Sequence, residues 1–156
     1  MMKRLILTLS LITGTVCADE QKVHRHLSYP ASVTLLQSIE SDAIILGKGK
    51  QKVYVFVDPL CPHSRKFITM VSHNRTMLSK YRYAIFLYSI PRLKSTDVVS
   101  AVYMSPHPKD TLLQVMVEGK VRSAEGDEGT TEKISRINTI AEEMDVYKRP
   151  YLFIKK

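Results

Sequence analysis

Cys61-Pro62-His63-Ser64 is the stretch of this chain whose residue types and spacing best suit covalent chemistry. A thiol becomes a strong nucleophile once ionised. The thiolate is favoured at a helix N-terminus, where unpaired N–H groups and the helix dipole attract negative charge. Proline is preferred at the first position of a helix, so Pro62 predicts a helix that begins directly after Cys61. His63, protonated or donating a hydrogen bond, would favour the thiolate further. Ser64 lies three positions after Cys61, where a hydroxyl can hydrogen-bond sulfur but cannot form a disulfide. These residues predict a nucleophile, Cys61, assisted by His63 and Ser64. The competing reading is an inert buried thiol.

The elements that must position the thiol are legible on both sides of it. Val53-Tyr54-Val55-Phe56-Val57 is β-branched, aromatic and continuously apolar, the pattern of a buried central strand. Asp58-Pro59-Leu60 ends that strand, and the turn is the role expected of Asp58. The following helix reads to about Lys80, with Phe67, Met70, Val71 and Leu78 as core candidates. Tyr83 to Tyr88 is the next strand, so strand, helix and strand follow in order, a pattern that favours parallel pairing. Upstream, Pro30 to Ser41 reads as a short helix carrying Val33, Leu36 and Ile39 on one side. Ala43 to Leu46 is an apolar run ended by Gly47, and the turn chemistry of Lys48 to Lys52 predicts a hairpin between it and the central strand. Downstream, Thr96 to Met104 and Pro108 to Glu118 read as helices, and Thr130 to Met144 as another. Pro150 opens a last strand, Tyr151 to Ile154.

With these elements in place, a resemblance emerges. The segment Val53 to Phe67, VYVFVDPLCPHSRKF, resembles the active-site segment of the bacterial periplasmic disulfide isomerase family of the DsbC and DsbG type. The Pro-His pair inside the motif is similar instead to the periplasmic oxidase DsbA. Pro150 resembles the cis-proline that lies opposite the reactive cysteine in thioredoxin folds. The resemblance covers about Ala43 to Ile154. It implies an α/β, thioredoxin-like fold with a helical insertion, lacking the last strand and helix of the family's pattern. It also implies that Pro62, Arg149 and Pro150 line the substrate groove, with the backbone around Pro150 docking an extended peptide. Two departures qualify it. Ser64 replaces the second cysteine, which removes the internal disulfide of a dithiol cycle but leaves mixed-disulfide exchange open. The residues between Asp19 and Ser41 are too few for the family's N-terminal dimerisation domain, and the chain stops right after the proline strand, where the family continues into another strand and a closing helix. The last strand is then a sheet edge, and a bare edge invites pairing with a second chain, so a homodimer through it is an expectation. Monothiol glutaredoxins hold an iron–sulfur cluster at CGFS, but CPHS has Pro and His in place of Gly and Phe, and no cofactor is expected.

Composition limits the remaining classes. The 156 residues suit one domain, and 44% hydrophobic content suits a folded globule. Lys3 and Arg4 precede a short apolar stretch, Leu5 to Val16. Val16-Cys17-Ala18 then fits signal-peptidase cleavage after Ala18. A membrane-spanning helix needs roughly 20 apolar residues, so no stable anchor is expected. Cys17 as a lipidated cysteine fits poorly, because Val16 stands where that pattern wants a smaller residue. Residues 1–18 are read as a cleaved leader, 19–42 as an extension with a short helix, and 43–156 as the thioredoxin-like domain. Export implies a periplasmic, oxidising compartment and leaves Cys61 as the mature chain's one thiol. The net charge of +8 is scattered. No nucleic-acid motif accompanies it, so solubility is its expected role. His24 and His26 are too few ligands for a metal site, and Asn74-Arg75-Thr76 is a chance sequon inside a predicted helix. The expected activity is thiol-disulfide exchange with protein thiols or disulfides, served by a redox partner protein. The alternative is a non-catalytic peptide-binding or chaperone module that uses the same groove.

Overall fold

The computed structural model describes residues 24–156. The segment read as a leader, with Cys17, lies outside the described residues. The two most apolar runs of the sequence form the interior of a four-stranded sheet. Strand β2 (Gln51–Val57) and strand β3 (Tyr81–Leu87) are parallel, in register from Val53 opposite Tyr83 to Val57 opposite Leu87. Every residue of Val53–Val57 and Tyr83–Leu87 is buried. A strand covered on both faces has no need of polar alternation, which is why these segments are apolar throughout. Short β1 (Ile44–Leu46) pairs antiparallel with β3, and β4 (Tyr151–Ile154) antiparallel with β2, giving the order β1-β3-β2-β4.

The expected hairpin between β1 and β2 does not form, because β3 lies between them. Each edge of β2 is already taken, by β3 and by β4. The connection crosses beneath the start of β3 instead. Lys48 N–H donates to the Leu78 carbonyl at 2.8 Å and Gly49 N–H to the Tyr81 carbonyl at 3.1 Å. Gly47 has φ +89 there, a backbone region that favours glycine. The Gly-Lys-Gly-Lys run is turn chemistry, as read, but it serves a crossing and not a reversal.

The helix after Cys61 is two helices, α2 (Pro62–Ser72) and α3 (Arg75–Lys80). Asn74 breaks it: its side chain accepts from Met77 N–H at 3.0 Å and caps α3, the use for which asparagine is preferred. The sequon therefore begins at a cap. On α2 the buried face is Ser64, Ile68 and Val71, spaced at four and three residues. Met70, a core candidate, points away and is half exposed, and Ile68 fills that role. Phe67 meets Tyr83 edge-on with ring centroids 6.0 Å apart, which sets α2 on the Val53–Val55 face of the sheet.

Helix α1 (Tyr29–Ser38) lies on the opposite face, where Tyr29 stacks on Phe153. Helices α4 (Thr96–Tyr103) and α5 (Pro108–Met116) are inserted between β3 and α6 (Glu128–Glu143). Tyr103 of α4 is buried, and its hydroxyl accepts from Leu87 N–H at 2.9 Å at the end of β3. Arg136 of α6 forms a two-pronged ion pair with Asp42, tying α6 to the segment before β1.

Glu40 is a second tie on this side. Burial pushes its carboxyl up, but hydrogen bonds from Lys52 and Tyr54 and the Lys52 charge outweigh that and hold it below its usual value of 4.5. A carboxyl lowered by folding stabilises the fold above its unfolded value and loses that contribution as pH falls through the folded one. Glu40→Gln is therefore expected to be less stable than the parent at neutral pH and to lose less stability between about pH 5 and 3. Chemical denaturation at several pH values checks this. Parallel stability curves for the two proteins would contradict it.

Candidate active site

The thiol is placed by the end of β2. Asp58 begins the turn, and Cys61 N–H donates to its carbonyl at 3.1 Å. Cys61 itself is the extended residue that caps α2, with φ −73 and ψ 123, and Pro62 occupies the first helical position. The first backbone hydrogen bond of α2 runs from Arg65 N–H to the Cys61 carbonyl at 2.9 Å. The N–H groups of His63 and Ser64 thus belong to the unpaired first turn, on the side where a sulfur anion would be stabilised. The sequence expectation and the structure agree on this junction.

Across from the thiol stands the segment before β4. The Arg149–Pro150 peptide bond is cis. The Arg149 carbonyl oxygen accepts from the Cys61 thiol at 3.8 Å, between residues 88 apart in sequence. This is the pairing of Cys61 with the Arg149–Pro150 segment that the sequence could only imply. Cys61 is 4% exposed, so the sulfur lies in the wall between the two segments.

The other residues divide. Pro62 and His63 are exposed on the first turn of α2, and no hydrogen bond joins the His63 ring to another described residue. Ser64 is fully buried, and its Oγ accepts from Asp58 N–H at 3.2 Å. That bond staples the helix start to the strand end. Pro150 is partly buried. The Arg149 guanidinium is occupied elsewhere: it donates to the carbonyls of Tyr88 (3.2 Å), Ser89 (3.0 Å) and Val146 (3.4 Å) and lies 3.9 Å over the Tyr88 ring. Burial lowers its basicity, while Tyr88, Asp58 and Cys61 oppose that shift. The part of Arg149 that meets the thiol is its backbone.

Two side chains matter more than the sequence indicated. Asp58, read as a turn residue, is fully buried, and its carboxylate accepts from Leu60 N–H at 2.7 Å, from Ile90 N–H and from the Ser95 hydroxyl at 2.6 Å. Arg65, one helical turn after Cys61, donates to the carbonyls of Val115 (3.0 Å) and Met116 (3.3 Å). It caps the end of α5 and fixes the inserted helices against α2. Its spacing of four from Cys61 was a usable signal for a residue on the same helix face.

In the N-terminal segment, His24 stacks on Tyr147 and pairs with Asp145 at 3.0 Å. Among the described residues no group of three His, Cys, Asp or Glu side chains is arranged to hold a metal ion. No helix among them is long and apolar enough to cross a membrane.

No protein-family model matches the sequence, and no curated protein matches it. Solved structures do resemble it. Helicobacter pylori DsbG superposes with a TM-score of 0.63 at 16% identity over 81% of this chain and 61% of its own. Proteus mirabilis ScsC in a compact conformation gives 0.66 at 14% identity, over 89% and 74%. A disulfide interchange protein from Neisseria gonorrhoeae gives 0.57 at 20% identity, over 75% and 86%. The chain spans less than two thirds of the Helicobacter pylori protein's length. At these identities the likeness concerns architecture, and with the sheet and helices above it shows that this chain has a thioredoxin-like fold carrying a helical insertion.

Proposed function

We propose that this protein exchanges thiols and disulfides with protein substrates in the periplasm, using Cys61 as its single nucleophile. The observation that carries the proposal is the Cys61 sulfur 3.8 Å from the carbonyl that precedes Pro150. A strand-to-helix junction supplies the anion-stabilising donors, and a second backbone segment faces them. The Cys61 thiolate attacks one sulfur of a substrate disulfide. A Cys61–substrate S–S bond forms as the substrate S–S bond breaks, and the second substrate sulfur leaves as a thiolate. Ser64 cannot complete a second displacement, so a substrate thiol must attack the mixed disulfide and release Cys61. The substrate then leaves with its disulfide moved and no net oxidation. An extended substrate backbone would lie along Arg149–Pro150, with Pro62 at its border, and His63 beside the reacting sulfur. A redox partner protein would keep Cys61 reduced between encounters.

The proposal is tested by acid-quenched trapping. Incubated with a disulfide-scrambled protein, the chain is expected to yield a mixed disulfide at Cys61, found by non-reducing mass spectrometry. A chain from which no mixed disulfide can be trapped overturns the reading. One observation favours a second reading, a peptide-binding module without exchange: the sulfur is almost wholly covered.

Residues 1–18 are proposed as a cleaved leader, which N-terminal sequencing of the exported protein tests. A homodimer through β4 is likewise a proposal, supported by the exposure of Leu152 and Ile154 on that strand. Light scattering at high concentration that returns only monomer would remove it.

A further inference from the structure

We propose that Asp58 is the positioning residue of the site, tying the turn that carries the thiol to the loop that holds Arg149. The inference rests on the reading of Cys61 above for its consequence in exchange, and on geometry for the tie itself.

A residue that merely ended β2 would need only the local bond from Leu60 N–H to Oδ1. Asp58 does more with its other oxygen. Oδ2 accepts from Ile90 N–H, 32 positions away, and from Ser95 Oγ, 37 positions away. Ser95 is itself fully buried and has the Ser89 hydroxyl 3.0 Å from its own. A carboxylate with no exposure is costly unless its lone pairs are filled by donors, and here three donors converge on it.

The bonds close a circuit. Leu60 and Cys61 are held by the Asp58 side chain and carbonyl. Ile90 is held by the same side chain. The two carbonyls just before Ile90, those of Tyr88 and Ser89, hold the Arg149 guanidinium. The Arg149 carbonyl then meets the Cys61 sulfur. Asp58 touches both ends of this circuit, and its side-chain hydrogen bonds go to Leu60, Ile90 and Ser95, not to the thiol. Only a group that accepts hydrogen bonds on both sides can perform this role.

The test is hydrogen exchange on the full chain. In Asp58→Asn, one amide oxygen can still take Leu60 N–H, but the NH2 group confronts Ile90 N–H, donor against donor. Exchange is expected to quicken about tenfold at Ile90, the scale of one lost charge-assisted hydrogen bond. It is expected to quicken comparably at Tyr151, which pairs with Phe56 in the sheet and to which the Asp58 side chain makes no hydrogen bond. Ile90→Pro removes the same donor with the carboxylate intact, at a φ of −91 near the proline range, and guards against misfolding of the first variant. Ser95→Ala removes a side link, from Asp58 through Ser95 to Ser89, with the Ile90 bond intact, and is expected to quicken Tyr151 less than either of those variants. If Tyr151 keeps the parent's exchange rate in both link-breaking variants, the proposal is overturned. In exchange assays, Asp58→Asn is expected to slow mixed-disulfide formation about tenfold in the parent and less than about twofold in an Arg149→Met background, because both act through one circuit. Additive effects would also overturn it. A parent that traps no mixed disulfide refutes the proposed function, yet hydrogen exchange still decides the tie.

Discussion

Cys61→Ala is expected to abolish mixed-disulfide formation outright while leaving the chain folded. The thiol is the one reacting group the site offers: Ser64 is committed to Asp58 N–H, and His63 is exposed on the first turn. Removing it deletes the nucleophile and not a rate factor, so the loss is complete. The fold should tolerate the change. Cys61 caps α2 through its backbone conformation, with no side-chain capping bond, and the weak thiol contact to the Arg149 carbonyl is all the hydrogen bonding its side chain loses. Its sulfur behaves in the core as a small apolar group whose removal costs about 1 kcal/mol. The measurement is non-reducing mass spectrometry after acid quench, with a thermal melt on the same sample, in a Cys17→Ala background so that one thiol is in play. Residual covalent adduct would refute Cys61 as the nucleophile. A variant that still captures reduced, unfolded protein non-covalently as well as the parent would point to the binding module.

The largest expected loss of stability comes from a residue with no side chain. Gly49→Ala would place a Cβ 2.0 Å from the Lys80 carbonyl carbon and oxygen and 2.2 Å from Tyr81 N. These are backbone atoms at the α3–β3 junction and cannot rotate aside. Gly49 lies where the chain crosses from β1 to β2 beneath β3, bonded to the Tyr81 carbonyl. Relieving the overlap means lifting that crossing off β3, and β1 pairs with nothing but β3. We expect a cost of about 3 kcal/mol, at the upper end for overpacking, and a melting temperature lower by about 10 °C. Lys50→Ala, one position on and exposed, is the control and should stay within about 0.5 kcal/mol. A Gly49→Ala protein that melts with the parent would show that the crossing is not the close approach described here.

The candidate site was legible to the extent that it is local. Cys61 before Pro62, after an apolar strand, predicts a thiol at a helix start because each step is short-range: β-branched residues extend, Asp-Pro stops the strand, proline begins the helix. Where an expectation failed, a distant partner was responsible. The run before Gly47 and the run after Gly49 read as a hairpin, since turn residues between strands describe proximity in sequence. Which strand occupies the edge of β2 is decided by the competition of all apolar segments for the sheet, and β3 and β4 took both edges. The helix after Cys61 read as continuous because its apolar pattern runs on. The break at Asn74 depends on a cap whose strength against one more helical turn the pattern does not rank. Met70 and Ile68 are both apolar, and only the docked orientation of α2 on the sheet distinguishes them.

Asp58 and Arg149 mark the division most clearly. By itself the sequence determined the chemistry available: a thiol at Cys61, no second sulfur beside it in the motif, and a strand-to-helix junction that favours the anion. Those properties depend on neighbours along the chain. The tertiary structure alone decided what surrounds the sulfur. It turned the Arg149 side chain into the Tyr88–Ser89 loop and left its carbonyl to the thiol. It also filled both oxygens of a carboxylate that the sequence presents as a turn residue. The physical reason is that a buried charge must find its partners wherever folding brings donors together, and the donors here come from residues 60, 90 and 95.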